Sequence, residues 1–347
     1  MYSGISGMKV NQTKLDVIGN NIANVGTTSF KSSQARFKDM LYQNAGEATA
    51  PTSAKGGTNA KQIGLGAQLS SVNKMMGQGN ALSTGRSLDV CVDGDGYLLV
   101  SKGDANGTVT VASNGISGGT MQETLFTRDG NLTLDKDGNL LTADGYRVMG
   151  YPVKVKTATN SAASATTSFD ASGNVMFVDA DAVDATTKKS DIQYISGTLM
   201  PLKIPDSIKK GATTSATTTT TQPIKKFEIG KDGLITAILG DGSRAALGQI
   251  AMASFKNPEG LTAKGGNLLN VSSNSGPAII KTGIGEATAT DNSGGFGDLI
   301  QGALEGSNVD LTEQFTDMIT ATRSFQAASK MITTGDEILQ TVTGLMR

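Results

Sequence analysis

The sequence predicts a mainly β protein with α-helices at both termini: a coiled-coil-like N/C-terminal helical domain plus two β-rich domains nested in the chain. Three observations predict it. Apolar residues recur at a 3-4 spacing near the two ends of the chain. Between the ends the period shortens to two, and Asp-Gly pairs punctuate the runs. The 347 residues include 44 Gly, but only 5% are aromatic and none is Trp. Such a composition suits many short strands joined by tight turns better than one large aromatic core.

At the N-terminal end, Ile5, Met8, Gln12, Leu15, Gly19 and Ile22 form a narrow helical stripe, with Ile18 and Val25 beside it. The stripe runs into "GNNIANVGTTSF", where Gly26 is suited to the left-handed position after a helix and Thr27-Thr28-Ser29 favours irregular chain. Asn20 and Asn24 share one helical face and Asn21 lies off it. Asn is a poor interior helix former, so three in five residues have two readings. They end the helix, or their amides bond backbone between subunits, where a buried Asn also fixes register. A helix this short is marginal alone and needs a partner.

The C-terminal end offers one. Leu311, Phe315, Met318, Thr322, Phe325, Ser329, Ile332, Asp336, Leu339, Thr343 and Met346 keep 3-4 spacing, and Met331, Ile338, Val342 and Leu345 widen the apolar face. Ser307 and Asn308 are candidate N-caps, with Ser307 and Asp310 placed as a capping box. The two terminal helices are expected to pair antiparallel. Their stripes are the candidate self-assembly interface: Ile5, Met8, Leu15, Ile18, Ile22 and the three asparagines on one side, and Leu311, Phe315, Met318, Phe325, Ile332, Leu339 and Met346 on the other.

Between them, "SLDVCVDGDGYLLV" reads as strand, turn, strand, and "FTRDGNLTLDKDGNLLTADGYRVMGY" as a meander turning at Asp129, Asp137 and Asp144. "FEIGKDGLITAILGDGSRAALGQIAMASF" is a second strand-rich region with turns at Asp232-Gly233 and Asp241-Gly242. Residues 43–60 read as an extended linker or projecting loop, and "TTSATTTTTQP" (Thr213 to Pro223) as a low-complexity loop. The expected domains are 1–26 with 304–347, helical; 27–86, a link carrying a hairpin or long loop; 87–150 with 247–303, a β-rich middle domain; and 151–246, an inserted outer β domain.

Little chemistry is encoded. With no His there is no Ser-His or Cys-His dyad and no imidazole ligand. "DKDGN" has its Gly at the wrong position for a calcium loop and lacks the closing Glu, so it and "DADAVD" read as turn chemistry. Cys91, the single cysteine, excludes an intramolecular disulfide and reads as a small buried residue, with an intersubunit thiol link as the other reading. The chain is not expected to be an enzyme or to need a cofactor or metal. Thirty Lys and Arg against 31 Asp and Glu, a net charge of −1, give no case for nucleic acid or an anionic membrane. "MYSGISGMKVNQ" has no apolar h-region, and no stretch approaches a membrane span. Read alone, these features place the chain in the cytoplasm.

The termini resemble the flagellar axial-protein family of rods and hooks, most closely its hook members. "LDVIGNNIANVGTTSFK" is similar to the N-terminal signature and "ALEGSNVDLTEQFTDMITATRSFQAASKMITTGDEIL" to the hook-type ending. "STGRSLDVCVDGDGYLLV", "FTRDGNLTLDKDGNLL", "GYRVMGYP" and "LGQIAMASFKNPEGL" follow in family order. Cys91 stands where many hook proteins have a small residue such as Ala, the "GDANGTVTVASNGISGGTMQETL" segment lengthens the first inner domain, and the outer domain is short. The resemblance implies a helical tube of many copies, a flexible universal joint carrying torque from motor and rod to filament. It implies export without a cleaved signal by the flagellar type III apparatus, with extracellular residence in the hook. Rod proteins, the hook cap and the hook-filament junction proteins are then the implied partners, with no membrane insertion. The terminal helices would be frayed in the monomer and would fold on joining the tube. The distal rod protein shares both ends and is the alternative. A β-rich surface adhesin is the reading from a different class, and it predicts a monomer that does not polymerise.

Overall fold

The computed structural model describes residues 2–51, 53, 55–112, 115–155, 168–169, 175–181, 192–195, 197–210, 220–284 and 295–346. The "DADAVD" stretch beyond 181 and most of the Thr-rich tract before 220 fall outside them. The chain divides into two compact units, residues 1–77 with 307–347 and residues 78–306.

The first unit holds both long helices, α1 (Tyr2–Ala23) and α2 (Leu311–Leu345). They lie antiparallel: Gly4 faces Ile332 and Ala328 near one end, and Lys14 pairs with Asp317 at 3.2 Å further along. α1 ends where Asn24 turns its amide back onto the carbonyl of Asn20 at 2.9 Å. The left-handed residue that follows is Ser29 (φ 55°) and not Gly26, since the chain first continues in turns, with Val25 N–H on the Ile22 carbonyl and Thr27 N–H on the Asn24 carbonyl. α2 is capped by Asp310, whose carboxylate accepts from the N–H groups of Thr312 and Glu313. The expected caps do other work. Ser307 accepts from Val309 N–H, and Asn308 bonds backbone at Ser32 and Met75.

Residues 33–74, expected to link outward, form a long antiparallel hairpin in the same unit. Ser33–Asp39 pairs with Ala67–Lys74, Tyr42–Gly46 pairs with Lys61–Gly64, and Thr49 bridges to Thr58 beyond. Asn308 ties the base of this hairpin. Its Oδ1 accepts from Ser32 N–H at 2.7 Å and its Nδ2 donates to the carbonyl of Met75 at 2.7 Å.

In the second unit sixteen strands join into one sheet system among the described residues. Tyr97–Lys102 is central, flanked by Glu123–Thr127 and Arg147–Tyr151. Its side chains alternate between two cores: Leu98 and Val100 pack with Leu125, Leu132 and Ile235, while Tyr97 and Leu99 pack with Phe126, Met149 and Phe255. Burial on both faces explains the unbroken apolar run "YLLV". Val90, Cys91 and Val92 are likewise all buried, so both faces of that strand are covered, and Cys91 is an interior residue.

The strands Thr220–Ile229, Leu234–Leu239 and Arg244–Ile250 pair in order around the expected turns at Asp232-Gly233 and Asp241-Gly242, but the first begins inside the Thr-rich tract: Thr220–Pro223, expected as loop, pairs with Ser207–Lys210. Arg244–Ile250 is one strand running through the boundary expected near 246, and Tyr151, at the start of the expected outer domain, pairs opposite Gln249.

Two expected turns differ. Val90–Asp93 does not pair with Tyr97–Lys102 but with Asp298–Gln301. The "DGDG" corner moves the chain from one ladder to another, held by Gln78, whose Oε1 accepts from Gly94 N–H. Asp129-Gly130 likewise closes no hairpin, since Glu123–Thr127 pairs with Tyr97–Lys102 and Leu268–Asn270. Gly130 is needed there for close approach: a Cβ on it would lie 1.6 Å from the Val90 carbonyl oxygen.

Candidate self-assembly surface

The helix seam mixes large apolar residues with glycines and alanines. On α1 the positions turned toward α2 are Gly4, Gly7, Lys14, Ile18 and Asn21, a 3-4 series one position ahead of the expected stripe. On α2 they are Gln314, Met318, Ala321, Phe325, Ala328 and Ile332. A Cβ on Gly7 would sit 4.0 Å from the Ala328 methyl, so the backbones come close where glycine faces alanine.

Asn21 is 1% exposed. Its Nδ2 donates to the Ser33 carbonyl at 2.8 Å and to Gln314 Oε1 at 2.9 Å, and its Oδ1 accepts from Ser33 N–H at 2.9 Å. The amide is satisfied within the chain and fixes the first strand against both helices. Asn20 and Asn24 bond each other at the helix end, at 2.6 Å between side chains, the arrangement expected of helix termination.

Of the other expected interface residues, Ile18 is buried, and Met8, Leu15, Ile22, Met318, Phe325 and Ile332 are half-buried. Ile5, Leu311, Phe315, Leu339 and Met346 are exposed. Length explains part of this. The 35 residues of α2 extend about 52 Å and the 22 of α1 about 33 Å. The seam therefore continues past the start of α1, and Leu339 and Met346 lie on that unpaired stretch.

Sequence reasoning missed Gln314, the structural role of Asn308 and the Gly/Ala character of the seam. The facing pairs Gly4-Gly7 and Ala321-Ala328 were the available signal. It also missed the buried ion pair that ties the second unit. Arg128 Nε bonds Glu305 Oε2 at 2.8 Å, with the two side chains 5% and 0% exposed. The remaining guanidinium nitrogens donate to the carbonyls of Gly96, Val92 and Gly94. Glu305 Oε1 accepts from Gly79 N–H at 2.9 Å.

Among the described residues no group of three or more acidic or cysteine side chains is placed to hold a metal, and no helix is long and apolar enough to cross a membrane. What the helical unit offers is apolar surface.

Family profiles match three parts of the chain. Residues 1–31 match a profile described as flagella basal body rod protein, 117–237 match the flagellar hook protein FlgE/F/G D1 domain, and 300–345 match the flagellar basal body rod FlgEFG protein C-terminal. The chain is 37% identical over 347 residues to the flagellar basal-body rod protein FlgG of Bacillus subtilis, covering 100% of this chain and 98% of that one. It is 29% identical over 463 aligned positions to the flagellar hook protein FlgE of Borreliella burgdorferi, covering 99% of each. The Escherichia coli flagellar hook protein FlgE is 28% identical over 437 positions, with 98% of each chain covered. The chain belongs to the flagellar hook and basal-body rod protein family.

Proposed function

We propose that this chain is a structural subunit of the flagellar hook, polymerising into a flexible tube that transmits torque from motor and rod to filament. One observation carries the reading. α2 outruns α1 and keeps large apolar side chains uncovered along its length, which is surface that a neighbouring subunit would bury. In this reading the expected interface residues of both helices line contacts between copies. The partners are rod proteins below, cap and junction proteins above, and the flagellar export apparatus, which passes the chain outward without a cleaved signal. The role is mechanical and uses no catalysis.

The distal rod is the second reading, and a specific observation favours it. Rod relatives align with this chain nearly end to end without added length, over 347 positions in Bacillus subtilis and 341 in Agrobacterium fabrum, whereas hook alignments run to 437 and beyond. Complementation separates the two: hook assembly restored in a hook-deficient strain supports the first, and restoration only in a strain lacking the distal rod supports the second. Polymerisation itself is tested by deleting 1–26 or 310–347. The remainder should stay soluble and β-rich but form no polymer, and filaments from either truncation would sink the proposal.

A further inference from the structure

The exposed apolar side chains of α2 do not form one stripe. Successive residues turn by about 100°. Taking Gln314, Phe325 and Ile332 as the seam facing α1, Phe315 and Ile319 lie on one flank of the helix, in its N-terminal half. Met331, Ile338, Val342 and Leu345 lie on the opposite flank, in its C-terminal half. All six are exposed, Ile319 by 54% and Ile338 by 58%. Each flank is polar in the other half: Thr320 and Ser324 precede the C-terminal patch on its side, and Thr333 and Gln340 follow the N-terminal patch on the other.

We propose that these two patches bind each other between copies: Phe315 and Ile319 of one subunit seat against Ile338, Val342 and Leu345 of the next. A second copy of this chain is the occupant for three reasons. Each patch is the apolar complement the other lacks. Ile338, Val342 and Leu345 lie on the stretch of α2 that runs past the start of α1, where α1 does not reach. Two different patches on opposite sides of one rod make a head-to-tail contact, which propagates into an open assembly and does not close as a two-fold dimer. With helices parallel, matching the centres of the two patches staggers neighbouring copies by about 37 Å along the helix axis. The inference rests on the polymer reading above and adds which surfaces meet.

The test is site-directed cross-linking of the full chain, for which Cys91 is fully buried and gives a quiet background. Polymers are grown from the unmodified chain, from Ile319→Cys, from Val342→Cys and from the double variant, checked by electron microscopy, and treated with a short bismaleimide. The double variant is expected to give a ladder extending past the dimer. A mixture of the two single variants should stop at dimer, and each single variant alone should stay monomeric on a denaturing gel. Dimers from Ile319→Cys alone would show a symmetric contact and overturn the proposal. Normal polymers without a ladder would overturn it while leaving polymerisation intact. Failure of the unmodified chain to polymerise at all would overturn the polymer reading and this inference with it.

Discussion

Replacing Glu305 with Ala should destabilise the second unit more than any other single charge removal. The carboxylate is fully buried, bonded to Arg128 at 2.8 Å and to Gly79 N–H at 2.9 Å. Removing it leaves a guanidinium charge in the interior and one backbone N–H without its acceptor. Breaking a buried pair from one side costs about 3–5 kcal/mol. With a urea slope of about 3 kcal/mol per molar, at the upper end for small domains, the unfolding midpoint should fall by roughly 1–1.7 M. Urea titration of the intact chain, followed by far-ultraviolet dichroism dominated by strand content, reads this directly. Glu228 is the control, since its exposed pair with Lys226 should leave the midpoint unchanged on mutation. An apolar double replacement, Arg128→Met with Glu305→Leu, should not restore stability. Arg128 also donates to three carbonyls at the "DGDG" corner, and Met cannot. A Glu305→Ala midpoint equal to that of the unmodified chain would refute the assignment of this pair as the tie of the unit.

Other outcomes follow from the same geometry. Phe325→Asp puts a carboxylate into the helix seam, where a large apolar side chain contributes roughly 1.5–3 kcal/mol; it should block assembly while Thr320→Ala and Lys330→Ala remain mild, with export scored separately from hook length by electron microscopy. Asn21→Ala strips partners from both polar groups of Ser33 and from Gln314, at a cost of about 1–3 kcal/mol, and should speed amide exchange at Ser33; unchanged exchange would count against the clamp. The Asp135 carboxyl sits below its usual range. Burial alone would raise it, but side-chain and backbone bonds from Asn139, the Asp137 N–H and the Arg147 charge more than offset that. A depressed folded value means stability present above the unfolded pKa and lost as pH falls through the folded one. Thermal midpoints should therefore drop below about pH 4, and more steeply for the unmodified chain than for Asp135→Asn.

Local chemistry was the most legible part of the fold. Asp232-Gly233 and Asp241-Gly242 sit in tight turns because both glycines take φ of 83°, a conformation the dipeptide signals without help from distant residues. The helices at the ends were legible from spacing, but not which face meets which. The apolar stripe supplies Met318, Phe325 and Ile332 to the intrachain seam, but Gly4, Gly7, Ala321 and Ala328 complete it. Those residues are too small to stand out by hydrophobicity and are chosen for close approach. Non-local pairings left no trace. Arg128 and Glu305 lie 177 residues apart, and the partner of Val90–Asp93 comes from Asp298–Gln301. No window of sequence joins them. Asn21 stands out in the sequence as an amide too costly to leave idle in a helix, and its partners Ser33 and Gln314 are inside the chain.

The central claim is that this chain is the repeating unit of a tube held together by its terminal helices. Electron cryomicroscopy of the assembled product tests it most directly. The account predicts a helical tube in which residues 2–23 and 311–345 occupy the smallest radius, with α2 of one copy touching α2 of the next. An assembly with those helices on its outer surface, or a folded chain that stays monomeric with both helices exposed to solvent, would contradict it.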